Sequence, residues 1–108
     1  MIGASQTPAA QGGAFSAVEA GWSFGGALTF DDAADVLEAS KALPLPGTGI
    51  VDFSGLMQGD SAALAVMLAL KRRAASEDRT LTLTGLPASL RSLAVVYGVD
   101  HYLADAGS

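Results

Sequence analysis

At 108 residues the chain is long enough for one compact core and too short for two. Half of its residues are hydrophobic, which excludes disorder over the whole length, and a net charge of −5 excludes a nucleic-acid surface, which needs clustered Lys and Arg. With no cysteine, disulfides and thiolate chemistry are excluded as well.

Residues 1–13 are small, polar and glycine-containing and read as a flexible tail outside the fold. They have neither a basic n-region nor an apolar core, so no secretory signal is expected there. The folded unit is expected over 14–104, with 105–108 frayed. No stretch approaches the roughly 20 apolar residues of a spanning helix, so no direct membrane insertion is expected and the default is a soluble cytoplasmic protein. The mean hydropathy is nonetheless positive, which points to apolar surface reserved for a partner.

Ala14 to Glu19 alternates as a short edge strand, Ala20-Gly21 is a turn, and Trp22 to Thr29 is a second strand, so the two should form a hairpin. Gly25-Gly26 predicts a bulge or a close backbone approach within it. Thr29 then caps a helix, with Asp31 and Asp32 at the positive end of its dipole and Asp32 at the third position of a capping box. That helix runs to about Ala42, with Ala33, Val36, Leu37 and Ser40 on one face, and Pro44 and Pro46 stop it. Asp31, Asp32, Asp35 and Glu38 read as a solvated face, because nothing else supplies metal ligands.

Ile50 to Phe53 lacks clean alternation and predicts a strand covered on both faces. A turn is expected through Gly55 and Gly59, then a second helix from Asp60-Ser61 to about Ala75. Lys71-Arg72-Arg73 suits its C-terminus, where cations complement the dipole. Arg79 to Gly85 is the cleanest strand, with Leu81 and Leu83 alternating against threonines. Pro87 fits the first position of a third helix with Leu90, Leu93, Ala94 and Tyr97 as its stripe, and Gly98 fits a left-handed C-cap. Val99 to Leu103 suggests a last extended segment. The order β-β-α-β-α-β-α predicts an α/β fold: a small mixed sheet of about four strands flanked by three or more helices, with the later strands parallel.

The catalytic inventory is thin. His101 is the one histidine and has no evident partner. Ser54 lacks a G-x-S-x-G context, Ser61 is not on a nucleophile elbow, and Gly55-x-x-x-Gly59 lacks the Lys and Ser/Thr of a phosphate-binding loop. No catalytic residue, cofactor or metal ligand is expected, and an enzyme is not. Asp60-Ser61 remains. Either residue would serve as an N-cap, and a hydroxyl there is also a place where an added phosphate would meet free N–H groups and the positive dipole end. Leu64, Val66, Met67, Leu68 and Leu70 do not fit on one core-facing side, so another side is expected to meet a protein.

Asp52-Phe53-Ser54-Gly55 followed by Asp60-Ser61-Ala62-Ala63-Leu64 resembles the STAS domain, the family of anti-sigma-factor antagonists and several transporter regulators. Ala63 stands where glycine is common in that motif. The likeness spans about Phe15 to Leu103. Three stretches are similar to the small STAS subunits of phospholipid ABC transporters, which maintain outer-membrane lipid asymmetry: Gly26 to Phe30, Leu64 to Leu70, and Ser92 to Val99. The resemblance implies a STAS fold and a non-catalytic subunit docked on a transporter's ATPase subunit at the cytoplasmic face of the inner membrane, stabilising or regulating it. It places Ser61 at the family's regulatory Ser/Thr and makes Asp60, Ser61, Ala62, Leu64, Met67, Leu68 and Tyr97 the candidate partner contacts. The other expectation it raises is an anti-sigma-factor antagonist controlled by phosphorylation of Ser61. A homodimer of the isolated chain is a further expectation from the apolar helix.

Overall fold

The computed structural model describes residues 13–103; the expectations for a tail and a frayed C-terminus fall outside them. Strands β1 (Ala14–Val18), β2 (Gly21–Leu28), β3 (Ile50–Gly59) and β4 (Thr82–Thr84) form one sheet in that order. β1 and β2 are the antiparallel hairpin, whereas β2/β3 and β3/β4 are parallel. Helices α1 (Phe30–Ser40), α2 (Ser61–Ser76), α3 (Ala88–Val96) and α4 (Asp100–Leu103) complete an α/β fold with a mixed sheet.

The register sorts side chains into two faces. One row, Ala17–Trp22–Val51–Leu83, lies on the core side, and the adjacent row, Ser16–Ser23–Asp52–Thr84, lies on the other. None of the second row is fully buried. On the core side, Phe15, Trp22, Phe24 and Phe53 pack ring to ring at centroid distances from 5.0 to 5.8 Å. Such contacts add to the burial of each ring, and truncating Phe53, fully buried, to alanine should cost about 3–5 kcal/mol.

Several elements differ from the sequence reading. β3 does not turn at Gly55 but runs ten residues, because β2 offers backbone partners as far as Leu28, opposite Gly59. The Gly25-Gly26 bulge is present as register shifts, and Gly55 lies where a Cβ would come within 2.6 Å of the Phe24 carbonyl oxygen. β3 is also covered on one face rather than two: Ile50 and Ser54 are exposed, while Val51 and Phe53 are fully buried. β4 is only three residues long. Pro87 is the N-cap of α3, not its first residue. Gly98 does cap α3 in the left-handed region, and its N–H and that of Val99 bond back to Val95 and Ala94 in a Schellman arrangement. That reversal sends Val99 onward into the short helix α4 instead of a strand, burying Leu103.

α2 is the element most enclosed. Leu64, Val66, Met67 and Leu70 all join the core and only Leu68 is half-exposed, because α1, α3 and α4 all pack along it. The expectation that these residues could not share a core is therefore corrected: α2 is buried over a wide arc by several neighbours.

The basic cluster stands at the C-terminus of its own helix as expected, with Arg73 in the last turn of α2, and it also reaches beyond it. Arg73 donates from both terminal nitrogens to the carbonyls of Ser40 (3.1 Å) and Leu43 (2.7 Å), at the C-terminus of α1, which has no basic residue in its own last turn. Its guanidinium also lies 6.0 Å from the centre of the Trp22 ring, and its Nε pairs with Glu77. Lys71 donates to the Leu81 carbonyl (2.8 Å). Replacing Arg73 with alanine removes the donor to the Leu43 carbonyl and the second donor to that of Ser40, which keeps the Leu43 N–H, and should destabilise the fold by about 1–2 kcal/mol in urea unfolding. Arg73→Lys should recover less than half of that, since an ammonium lacks the planar fork.

Candidate functional site

The site is built where β3 ends and α2 begins. Asp60 has extended backbone angles and is the N-cap of α2: its Oδ1 accepts from the Ala62 N–H at 2.9 Å. Its other oxygen, Oδ2, accepts from the Phe30 N–H at 3.1 Å. Phe30 is the first residue of α1, so one carboxylate ties together the N-termini of two helices. Both dipoles favour that negative charge. Thr29, the N-cap of α1, sends its own N–H and its hydroxyl to Asp32 at 3.2 and 2.9 Å, the reciprocal half of the predicted capping box.

This assignment separates the two residues of the Asp-Ser pair. Asp60 holds structure. Ser61, next to it, is exposed at the first turn of α2. Phe30 and Met57 stand at the same end of the sheet and are the two most exposed large apolar side chains described, at 82 % and 86 %. The sequence reading did not select either of them. Phe30 reads as part of a helix entry, and Met57 falls within the expected turn. Strand parity would not have found Met57: with Val51 and Phe53 inward, strict alternation turns Leu56 outward and Met57 inward, and the register shift between Ser23 and Gly25 reverses that order.

The other candidates divide. Ser61, Leu64, Leu68 and Tyr97 line one groove of about 270 Å³ between α2 and the end of α3, together with Ala65 and Val99. Leu64 supplies only its floor, being 3 % exposed. Met67 is fully buried and is withdrawn as a partner contact. Ala62 is half-buried beside the cap, and Tyr97 is exposed as the C-cap of α3.

Nothing in this arrangement forms a catalytic relay. The His101 ring is exposed and packs on Tyr102 at 4.3 Å. Among the described residues no three acidic or imidazole side chains converge on a metal-sized site. The Asp52 carboxyl lies on the open sheet face. The Ser54 hydroxyl (2.7 Å) does most to hold it below the usual carboxylate range. Burial opposes that effect, and the Ser54 N–H (3.2 Å) and the Thr84 hydroxyl (3.1 Å) add to it. Two of these bonds stay within β3, and the one from Thr84 stitches β3 to β4.

Two outcomes follow from this geometry. Asp60→Ala should cost about 1–2 kcal/mol in thermal or urea unfolding, since it removes a cap and a second bond, while Ser61→Ala should stay within about 0.5 kcal/mol. Asp52 has a depressed folded-state pKa, so its stabilisation is present above the unfolded-state value near 4 and is lost as pH falls through the folded-state value. The stability gap between the native chain and Asp52→Asn should therefore be constant near neutrality and shrink below about pH 4.

A family model described as "Mlab, STAS domain" matches residues 16–105. No curated protein matches the chain.

Proposed function

The chain belongs to the STAS domain family, and from that premise we propose that it is a non-catalytic subunit that binds and stabilises or regulates the ATPase subunit of a phospholipid ABC transporter of the Mla type. STAS domains are generally non-enzymatic and act through protein–protein contact. The observation that carries the proposal is the end of the molecule around Ser61: an exposed hydroxyl on a helix N-terminus, with Phe30 and Met57 exposed at the same end. Large apolar side chains left in water beside an ordered polar group are what an interface centre requires. The subunit would work at the cytoplasmic face of the inner membrane through the transporter. Among the described residues no helix is long and apolar enough to cross a membrane.

Ser61 also supports a second reading, an anti-sigma-factor antagonist released or captured by phosphorylation. A phosphate on that hydroxyl would gain the positive dipole end of α2 but sit beside the Asp60 carboxylate, adding close to two negative charges to a surface that already carries one. The two readings part on what modifies and what binds. In the transporter reading the chain co-purifies with an ABC ATPase, and Ser61→Glu or the pair Phe30→Asp with Met57→Asp weakens that complex about tenfold or more. Complexes that survive both changes would remove the interface from this end. Leu64→Asp and Met67→Asp should unfold the chain, which circular dichroism reads before any binding is scored. In the second reading an anti-sigma kinase places phosphate on Ser61, detectable by mass spectrometry.

A further inference from the structure

The sheet ends on two unlike edges. β4, at one edge, is three residues long, and Lys71 takes the carbonyl of Leu81 just before it. β1, at the other, has none of the features that close an edge to further pairing. Ala14–Val18 holds no charged residue and no proline, and it pairs with β2 over all five residues without a register shift. Among the described residues no strand lies beyond it. The hairpin turns through two residues, Glu19 and Ala20, so Val18 and Gly21 close it as a hydrogen-bonded pair. Alternation then turns the backbone groups of Ala14, Ser16 and Val18 toward β2 and those of Phe15 and Ala17 away from the sheet. Phe15 is also the one ring of the core-side cluster left partly buried, although it contacts Trp22, Phe24 and Phe53.

Beside this edge lies a cavity of about 290 Å³ between Gly13, Ala14 and Phe15 and the α1 face of Asp32, Asp35 and Val36. α1 leaves the end of β2, which runs past the start of β1, so its acidic first half stands at the Gly13 end. Asp32 holds Thr29, while Asp35 is exposed and has no hydrogen bond or salt bridge among the described residues. The cations nearby are already committed. Arg73 bonds the carbonyls of Ser40 and Leu43, which line the cavity's other end, and pairs with Glu77; Lys41 pairs with Glu38. We propose that β1 accepts an extended segment of another protein as a fifth, antiparallel strand. Its core-side row would set an apolar side chain beside Phe15 and, two residues on, a Lys or Arg beside Asp32 and Asp35. Backbone pairing then supplies affinity and those two side chains supply specificity. A second copy of the chain fits less well, because its β1 carries no cation and its α1 adds carboxylates; residues 1–12 hold no Lys or Arg either. The proposal does not rest on the ATPase reading, because it uses none of Phe30, Met57 and Ser61.

The test uses the full chain, isotope-labelled, and a synthetic peptide of about seven residues that alternates Val and Thr, with Arg replacing one Val. Amide exchange at Phe15 and Ala17 should slow about tenfold or more at saturation, while Ser16 and Val18, already bonded to β2, change little. A peptide with Glu in place of Arg should bind about tenfold more weakly or worse, and Asp35→Lys should reverse that preference. Ala17→Pro removes an outward N–H and should abolish binding. Urea unfolding reads first whether that variant folds, and Asp35→Lys decides alone if it does not. Exchange at Phe15 and Ala17 unmoved by the peptide, or binding indifferent to the peptide's charge, overturns the proposal. So does protection of both amides without any peptide: if it rises with chain concentration the edge belongs to a second copy, and if it is constant the edge belongs to the chain's own residues 1–12.

Discussion

The fold depends on how one proline-bearing loop satisfies its backbone. Pro44 and Pro46 stop α1 and contribute no N–H, so the segment from Ser40 to Pro46 cannot turn its carbonyls into helix or sheet. Backbone turns take up part of the demand, from the Leu43 N–H to Ser40 and from the Gly49 N–H to Pro46, and side chains supply the rest. Arg73 takes Ser40 and Leu43, the Trp22 indole takes Pro44 at 3.1 Å, and Arg79 takes Leu45 and Pro46. The donors come from α2, β2 and the approach to β4. A loop with little secondary structure thus connects to three separate elements, and Leu45 beneath it is part of the core. Carbonyls left unpaired in that setting would each cost about 1–3 kcal/mol.

The opposite end of the molecule solves a related problem with one carboxylate. Two helices start next to each other, each with orphan N–H groups, and Asp60 serves both. α2 is therefore anchored at its start by Asp60 and at its end by Arg73, and each anchor also holds an end of α1. This double attachment explains why α2 can be almost wholly enclosed yet still present one narrow exposed side. It also separates duties within the Asp-Ser pair: the acid is structural, and the hydroxyl is left for whatever arrives from outside.

Much of this was legible from residue order. The hairpin, the Thr29–Asp32 cap, the glycine bulge, Gly98 as a C-cap and the mixed sheet all rest on local chemistry, where a residue type forces a geometry within a few positions. What was not legible depends on partners far along the chain. Whether β3 stops at Phe53 or reaches Gly59 is decided by β2, not by Gly55. Whether Met67 faces a partner or the core is decided by how many helices crowd α2, which periodicity on α2 alone does not reveal. Arg73 stands in the last turn of its own helix, as its position suggests, but its bonds to another helix thirty-odd residues away could not be read from that position. The candidate site suffered in the same way. The structure brings Ser61, Leu68 and Tyr97 to one groove, while Phe30 was passed over as a helix entry and Met57 was hidden by the misplaced turn.

Trp22 is the only tryptophan in the chain. It is buried, its indole N–H is bonded to Pro44, and the Arg73 guanidinium lies over its ring. The molecule therefore carries an intrinsic optical label at the loop that joins its elements. A buried indole emits to the blue of a hydrated one, so loop opening is written in the emission maximum without any added dye. Ser61 and the groove along α2 lie outside the contacts of that ring, and light from Trp22 reads the integrity of the fold separately from the occupancy of the surface.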